Sequence, residues 1–148
     1  MTIKVGINGF GRMGRLSMRA AFDWDEIEIV HINDPGGNAE TFAHLMTFDS
    51  VHGRWHHEAK HDGDSIVVNG KTIAFTQNKV TEATDWSQCD VVIEASGKIK
   101  TKALLQGYLD QGVKRVVVTA PVKEEGELNI VMGVNDELYN KAIHPIVT

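Results

Sequence analysis

Gly9, Gly11 and Gly14 stand at G-x-G-x-x-G spacing, and an acid, Asp34, follows 20 residues after the last of them. Glycines so placed let backbone go where a side chain would block it. Gly9 permits a sharp turn off a strand end, Gly11 removes the Cβ that would hold a pyrophosphate away, and Gly14 lets a helix lie close on a sheet. The N–H groups of Arg12 and Met13 fall in the first turn of that helix, where unpaired donors and the positive end of the helix dipole favour a phosphate anion. Asp34 is at the distance from which a carboxylate accepts both hydroxyls of an adenosine ribose. Taken alone, Asp34 before Pro35 is also an ordinary turn residue, and 14 glycines in 148 residues will sometimes fall at this spacing. A strand before the glycines and a helix after them turn the motif into a dinucleotide site.

Other reactive side chains carry less. His52, His56, His57 and His61 lie close together. They form no i, i+4 pair on a helix and have no Cys or clear carboxylate neighbour, so a solvated loop is expected and no metal. Cys89 is the one cysteine. It cannot close an internal disulfide, which suits a reducing cytoplasm, and it reads as a small packing residue.

The positioning elements follow from periodicity and turn chemistry. Ile3, Val5 and Ile7 form a first strand, and Leu16, Met18 and Phe22 lie in a helix-like segment. Residues 27–32 form a second strand that ends at Asn33 and Asp34. Residues 39–46 form a short helix with Asn38 as N-cap, burying Phe42, Leu45 and Met46, and residues 48–57 an ordered loop. Asn69-Gly70 between two β-rich runs predicts a hairpin over residues 66–75, which interrupts the βα alternation. Residues 90–94 form a strand that closes on the small-residue turn Ala95-Ser96-Gly97, where backbone can approach a ligand. A helix over 101–111 packs Ala103, Leu104, Tyr108 and Leu105, with Thr101 as cap and Gly112 as stop. A buried strand at 115–118 closes at Thr119-Ala120-Pro121. Strands at 128–132 and 143–147, with a helical turn capped by Asn135 between them, complete the order. The class is α/β: a Rossmann-type, doubly wound, mainly parallel sheet with an inserted β-hairpin, one domain over 1–148. Asp34, Ser96-Gly97 and Thr119 all fall at carboxyl ends of its strands, where such sheets hold ligands.

Composition agrees. Hydrophobic residues at 42% and charged ones at 24% fit a folded globular domain. A net charge of −5 without a basic block speaks against a nucleic-acid groove or a membrane-surface patch. No apolar run approaches the roughly 20 residues of a membrane span, and the chain enters its first strand without a signal-peptide pattern.

Seven segments in order resemble one family. They are residues 5–15 (Val-Gly-Ile-Asn-Gly-Phe-Gly-Arg-Met-Gly-Arg), 32–35 (Ile-Asn-Asp-Pro), 48–54 (Phe-Asp-Ser-Val-His-Gly-Arg), 68–71 (Val-Asn-Gly-Lys), 94–97 (Glu-Ala-Ser-Gly), 119–123 (Thr-Ala-Pro-Val-Lys) and 131–135 (Val-Met-Gly-Val-Asn). Together they resemble the N-terminal, NAD-binding half of glyceraldehyde-3-phosphate dehydrogenase. The resemblance implies that Arg12 and Met13 meet the pyrophosphate through their main chain and that Asp34 binds the adenosine ribose. Asn78 and Lys79 would line the adenine side, where the family usually has Glu-Arg. Ser96, Gly97 and Thr119 would approach the nicotinamide-side ribose and the substrate pocket. Asp34 implies NAD over NADP, since a 2′-phosphate would meet a carboxylate, although Gly36-Gly37 resembles members that accept both. The family's catalytic cysteine sits in a Ser-Cys-Thr-Thr-Asn motif just after the strand here at 143–147, beyond the last residue given. The resemblance thus implies no catalytic residue in this chain: it should bind NAD without oxidising the small phosphorylated aldehyde, and the catalytic domain and the tetramer belong to the full-length enzyme. Residues 48–58 and the double glycine after Pro35 are similar to bacterial members associated with arsenic resistance, which use arsenate in place of phosphate. The other reading is a stand-alone nucleotide-binding sensor module without activity.

Overall fold

β1 (Ile3–Asn8) is the axis of the molecule. In the computed structural model, which describes residues 2–124 and 128–148, its alternation sends Val5 and Ile7 into one hydrophobic cluster and turns Gly6 toward Cys89 and Trp86 in another. Met1, at the head of the run leading into β1, lies outside the described residues. The first cluster is covered by α1 (Arg12–Ala21) and α2 (Ala39–Thr47) through Met18, Phe42 and Met46. The second is covered by α3 (Lys102–Asp110) through Leu105 and Tyr108. Helices therefore lie on both faces, as a doubly wound sheet requires.

Among the described residues the main sheet has eight strands, with the others added outward on both edges of β1. β2 (Ile27–Asn33) pairs in parallel with β1, and β7 (Lys71–Thr76) in parallel with β2. The chain then crosses back, and β8 (Val91–Glu94) pairs in parallel with the other side of β1, followed outward by β9 (Arg115–Val118) and β10 (Ile146–Val147). This reversal of direction at β1 opens a crevice beyond the carboxyl ends of β1, β2 and β8.

The hairpin forms where Asn69-Gly70 predicted it. β6 (Ser65–Val68) turns into β7 through Asn69 (φ 50°) and Gly70 (φ 76°), the two positive-φ residues such a turn needs. It is wider than expected, because β5 (Ala59–Asp62) adds an antiparallel edge strand of mostly exposed polar residues. Asn38 caps α2 as expected, accepting from the Thr41 N–H at 2.9 Å. The loop at 48–57 contains a two-residue ladder, β3 (Phe48–Asp49) with β4 (Gly53–Arg54). Arg19 ties this ladder to α1 by donating to the carbonyls of Met46 and Gly53.

Five expectations need correction. α3 buries Leu105 and Tyr108, while Ala103 and Leu104 face solvent: the helix is rotated by about one residue because Tyr108 reaches a buried polar group below it. β9 is not fully buried, since its alternation turns Val116 and Val118 into the second cluster and leaves Val117 38% exposed. The strand expected at 128–132 reduces to a parallel bridge between Leu128 and Val147, and the one at 143–147 to Ile146–Val147. Asn135 does not cap the 3-10 turn at Asp136–Leu138; its Oδ1 instead accepts from the Val131 N–H at 2.7 Å and closes a loop.

Candidate functional site

The glycine loop joins β1 to α1 in a conformation that only glycine fills without strain. Gly9 has φ 90°, and a Cβ there would stand 2.4 Å from the Ser96 nitrogen. The β1 turn and the β8 turn are thus in backbone-to-backbone contact. A Cβ on Gly14 would stand 2.1 Å from the Gly9 carbonyl oxygen and 3.2 Å from Ile7, so α1 is drawn down onto β1. Around Gly11 nothing lies within 4 Å of the Cβ position. The first turn of α1 has Gly11 as N-cap, no capping side chain and no acidic residue, so its dipole end faces the opening without a resident anion. Arg15 braces the loop by donating to the Phe10 carbonyl at 2.9 Å; burial lowers its guanidinium pKa, with Asp49 opposing.

Asp34 sits at the far side, just past β2. Its Oδ2 accepts from the Phe10 N–H at 2.6 Å and its Oδ1 from the Gly36 N–H at 2.7 Å. Both oxygens are fixed, and each keeps a lone pair for a further donor. A Cβ on Gly36 would approach Oδ1 to 2.9 Å, which explains a small residue two positions after the acid.

Between them lies a crevice of about 260 Å³. Of the residues predicted for the site, Gly9, Gly11, Asp34, Lys79 and Ser96 line it. Arg12 and Met13 do not line it; they lie on the exposed first turn of α1, the Arg12 side chain 3.3 Å from Asp49. Gly14 is beneath the loop, buried. Gly97 occupies the turn after β8 with φ 70°, and Thr119 follows β9, its N–H donating to the Glu94 carbonyl; neither lines the crevice. Asn78 does line it, but its amide is committed to Ala83 and Thr84, both at 2.9 Å.

Sequence reasoning missed the floor. The register aligns Asn8 with Asn33 on one side and with Glu94 on the other, the last pairs of the two ladders. Asn33 donates to the Asn8 Oδ1 at 2.8 Å, and Asn8 donates to the Glu94 Oε2 at 2.8 Å. Glu94, fully buried, also accepts from the Ser96 N–H at 2.8 Å and from the hydroxyls of Ser96 and Tyr108. Burial and the neighbouring Glu94 push the Tyr108 phenol well above its usual range, so it stays a donor. The available signal was a polar residue closing each of three apolar strands. Lys98, which lines the crevice as Lys79 does, was not among the expected site residues.

Two other groups are placed by the fold. Cys89 is buried against Gly6, on the loop entering β8 and so at the end of the sheet away from the crevice; burial, then Asp85 and Asp90, push its thiol up to about 11. His52 contacts Asp49, while His56 and His57 both face Asp23, a carboxylate 33 and 34 residues earlier that the sequence did not connect with them. No helix of the described residues is long and apolar enough to cross a membrane.

Comparison with known proteins agrees with this geometry. A sequence model of the family described as glyceraldehyde 3-phosphate dehydrogenase, NAD binding domain, matches residues 3–102. Glyceraldehyde-3-phosphate dehydrogenase 3 of Nostoc sp. is 50% identical over 150 residues, covering 100% of this chain and 44% of the relative. Glyceraldehyde-3-phosphate dehydrogenase 1 of Bacillus subtilis and the enzyme of Geobacillus stearothermophilus are each 41% identical with the same coverage. The chain therefore spans less than half the length of the curated relatives it matches. It belongs to the glyceraldehyde 3-phosphate dehydrogenase family, as its NAD-binding domain.

Proposed function

We propose that the crevice holds NAD, with its phosphates at the first turn of α1 over Gly9 and Gly11 and its adenosine ribose on Asp34. The observation that carries this is the Asp34 carboxylate, pinned through both oxygens with lone pairs left over, across from an uncapped helix start. The loop fits such a group: a Cβ at Gly9 has no room, and the space over Gly11 is open. Lys79 and Lys98 in the lining supply positive charge toward an anionic ligand. Ser96, Gly97 and Thr119 take the nicotinamide side through their backbone, since the Ser96 hydroxyl is turned down onto Glu94. Asp34 also favours NAD over NADP, because a 2′-phosphate would face a carboxylate.

When bound, NAD supplies hydride acceptance. The residues of this chain bind and orient it. In the longer protein we assign them to phosphorylating oxidation of a small phosphorylated aldehyde, with phosphate or arsenate as acyl acceptor, in a cytoplasmic homotetramer. Exposed apolar side chains at Val131, Met132, Val134 and Ile143 support a partner surface over that segment. Cys89 does not take on the role of a catalytic nucleophile: it is buried with a raised pKa on the far side of the sheet. Identity to dehydrogenases along the whole chain favours this reading over a non-catalytic sensor module.

Calorimetric titration of the purified 148-residue chain with NAD and NADP tests it. Binding of NAD at one equivalent, weaker for NADP, with no aldehyde oxidation, is expected. Absence of NAD binding by the folded chain overturns the site, and turnover by it overturns the division of labour.

A further inference from the structure

We propose that Asp23, His56 and His57 form a binding site for a divalent transition-metal ion, zinc being the best match, at the end of the sheet opposite the dinucleotide crevice. Asp23 follows α1 and precedes β2, at the amino ends of the central strands. Its two oxygens face two imidazoles: Oδ1 lies 2.6 Å from the His57 Nε2 and Oδ2 3.1 Å from the His56 Nε2. One ligand atom from each of the three residues lies within 4.8 Å of the others. Zinc takes imidazole nitrogen and carboxylate oxygen at about 2.0–2.2 Å, which sets its ligand atoms about 3.3 Å apart in a tetrahedron. The Asp23–His57 separation must open by about 0.7 Å to reach that spacing, and no pair of ligand atoms need close by more than about 1.5 Å. The side chains of His56 (66% exposed) and Asp23 (54%) are on the surface and can swing to supply it.

His57 is the fixed member. Its side chain is 15% exposed, with its ring edge-on to Phe22 at 5.2 Å and to Trp55 at 4.8 Å between centroids. Its Nδ1 lies 2.8 Å from the Asn69 side-chain amide, and Asn69 is held in the left-handed hairpin turn. With the amide turned so that its oxygen receives the Nδ1–H, the Nε2 lone pair is directed at the ion, the outer-shell arrangement usual for ligating histidines. Two nitrogens and one carboxylate leave a coordination position for water. This donor set suits zinc, nickel or copper and disfavours magnesium and calcium, which take oxygen. The expectation of no metal arose because the carboxylate lies far away in sequence; the fold supplies it.

The test uses tag-free protein stripped with a chelator, titrated with zinc chloride by calorimetry and with cobalt(II) by visible absorption. One equivalent of zinc and a cobalt d–d band are expected. Asp23→Asn and His56→Ala, both at exposed positions, should each weaken zinc binding at least tenfold, while His61→Ala leaves it unchanged. Absence of zinc binding by the wild-type chain overturns the proposal. So does binding that persists at full stoichiometry and affinity in both Asp23→Asn and His56→Ala. NAD affinity plays no part in the readout, so the proposal stands or falls apart from the dinucleotide site.

Discussion

Replacing Asp34 by Ala removes two functions of one side chain, and the structure separates their sizes. Oδ2 accepts from the Phe10 N–H at 2.6 Å, and Phe10 has no exposed surface, so in the folded chain that donor depends on the carboxylate. Leaving that donor unpaired costs about 1–3 kcal/mol of stability. Oδ1 accepts from Gly36, which is exposed and can turn to water, so little is lost there. The bound dinucleotide loses its charged acceptors for the ribose hydroxyls, again about 1–3 kcal/mol, or roughly 5- to 150-fold in dissociation constant. Urea unfolding followed through tryptophan fluorescence reads the first effect, and calorimetry with NAD at a temperature where both proteins are folded reads the second. Asp34→Asn divides them further. Its amide oxygen can still serve Phe10 and restore stability, but its NH₂ then faces the Gly36 N–H, and the negative charge opposing a 2′-phosphate is gone. Affinity for NAD should stay weak while discrimination against NADP falls. A folded Asp34→Ala chain that binds NAD within twofold of wild type would refute the assignment of Asp34.

Three further outcomes are expected. Gly9→Ala should destabilise the chain by about 2–5 kcal/mol, from the left-handed backbone and from overlap with the Ser96 turn; a loss under about 1 kcal/mol in urea unfolding means the two turns are not in rigid contact. Tyr108→Phe removes a donor from buried Glu94 and the oxygen that accepts from Asn8 at 2.7 Å. It should lower the thermal midpoint by a few degrees, about 1–2 kcal/mol, and an unchanged midpoint argues against the floor network. His31 is buried beside Trp86, and its Nε2 lies 3.0 Å from the Thr76 hydroxyl. Burial lowers its pKa, with Asp85 opposing. The unfolded chain then takes up a proton near pH 6.5 that the folded chain refuses, so stability is full above that pH and falls as pH drops toward the folded pKa. His31→Gln should flatten the slope between about pH 7 and 5; identical slopes in mutant and wild type would exclude His31 as its source.

The sequence displayed most clearly what is decided locally. β1, the glycine loop, α1, β2 and Asp34 follow one another within 34 residues, and each is set by alternation, by glycine freedom or by a strand end. The Asn69-Gly70 hairpin is legible for the same reason. β5 was not, because Lys60–Asp62 are exposed polar residues and what anchors the strand, its pairing with β6 and the Thr47 hydroxyl accepting from the Ala59 N–H at 3.0 Å, comes from elsewhere in the chain. The face of α3 turned on one residue: Leu104 and Leu105 are equal candidates by composition, and the choice falls to whichever brings Tyr108 over Glu94. The crevice walls were visible, but its floor was not, since Asn8, Asn33 and Glu94 become neighbours only once the pairing of β1 with β2 and β8 is known. Asp23 joined His56 and His57 in the same way, across 33 residues of chain.

That floor also bears on how the chain finds its fold. β1 and β8 meet across 86 residues of sequence, the kind of distant parallel pairing that forms slowly. A slip of one residue between them would turn Glu94 to the opposite face of the sheet and set Ile93 or Ala95 against Asn8. The carboxylate would then lose the donors of Asn8 and Tyr108 together, a penalty of several kcal/mol on the misaligned state. The two asparagines and the glutamate thus act as a proofreading lock for strand alignment. An apolar replacement such as Asn8→Val should yield misassembled, aggregation-prone protein in refolding, even where the vacated space is well filled.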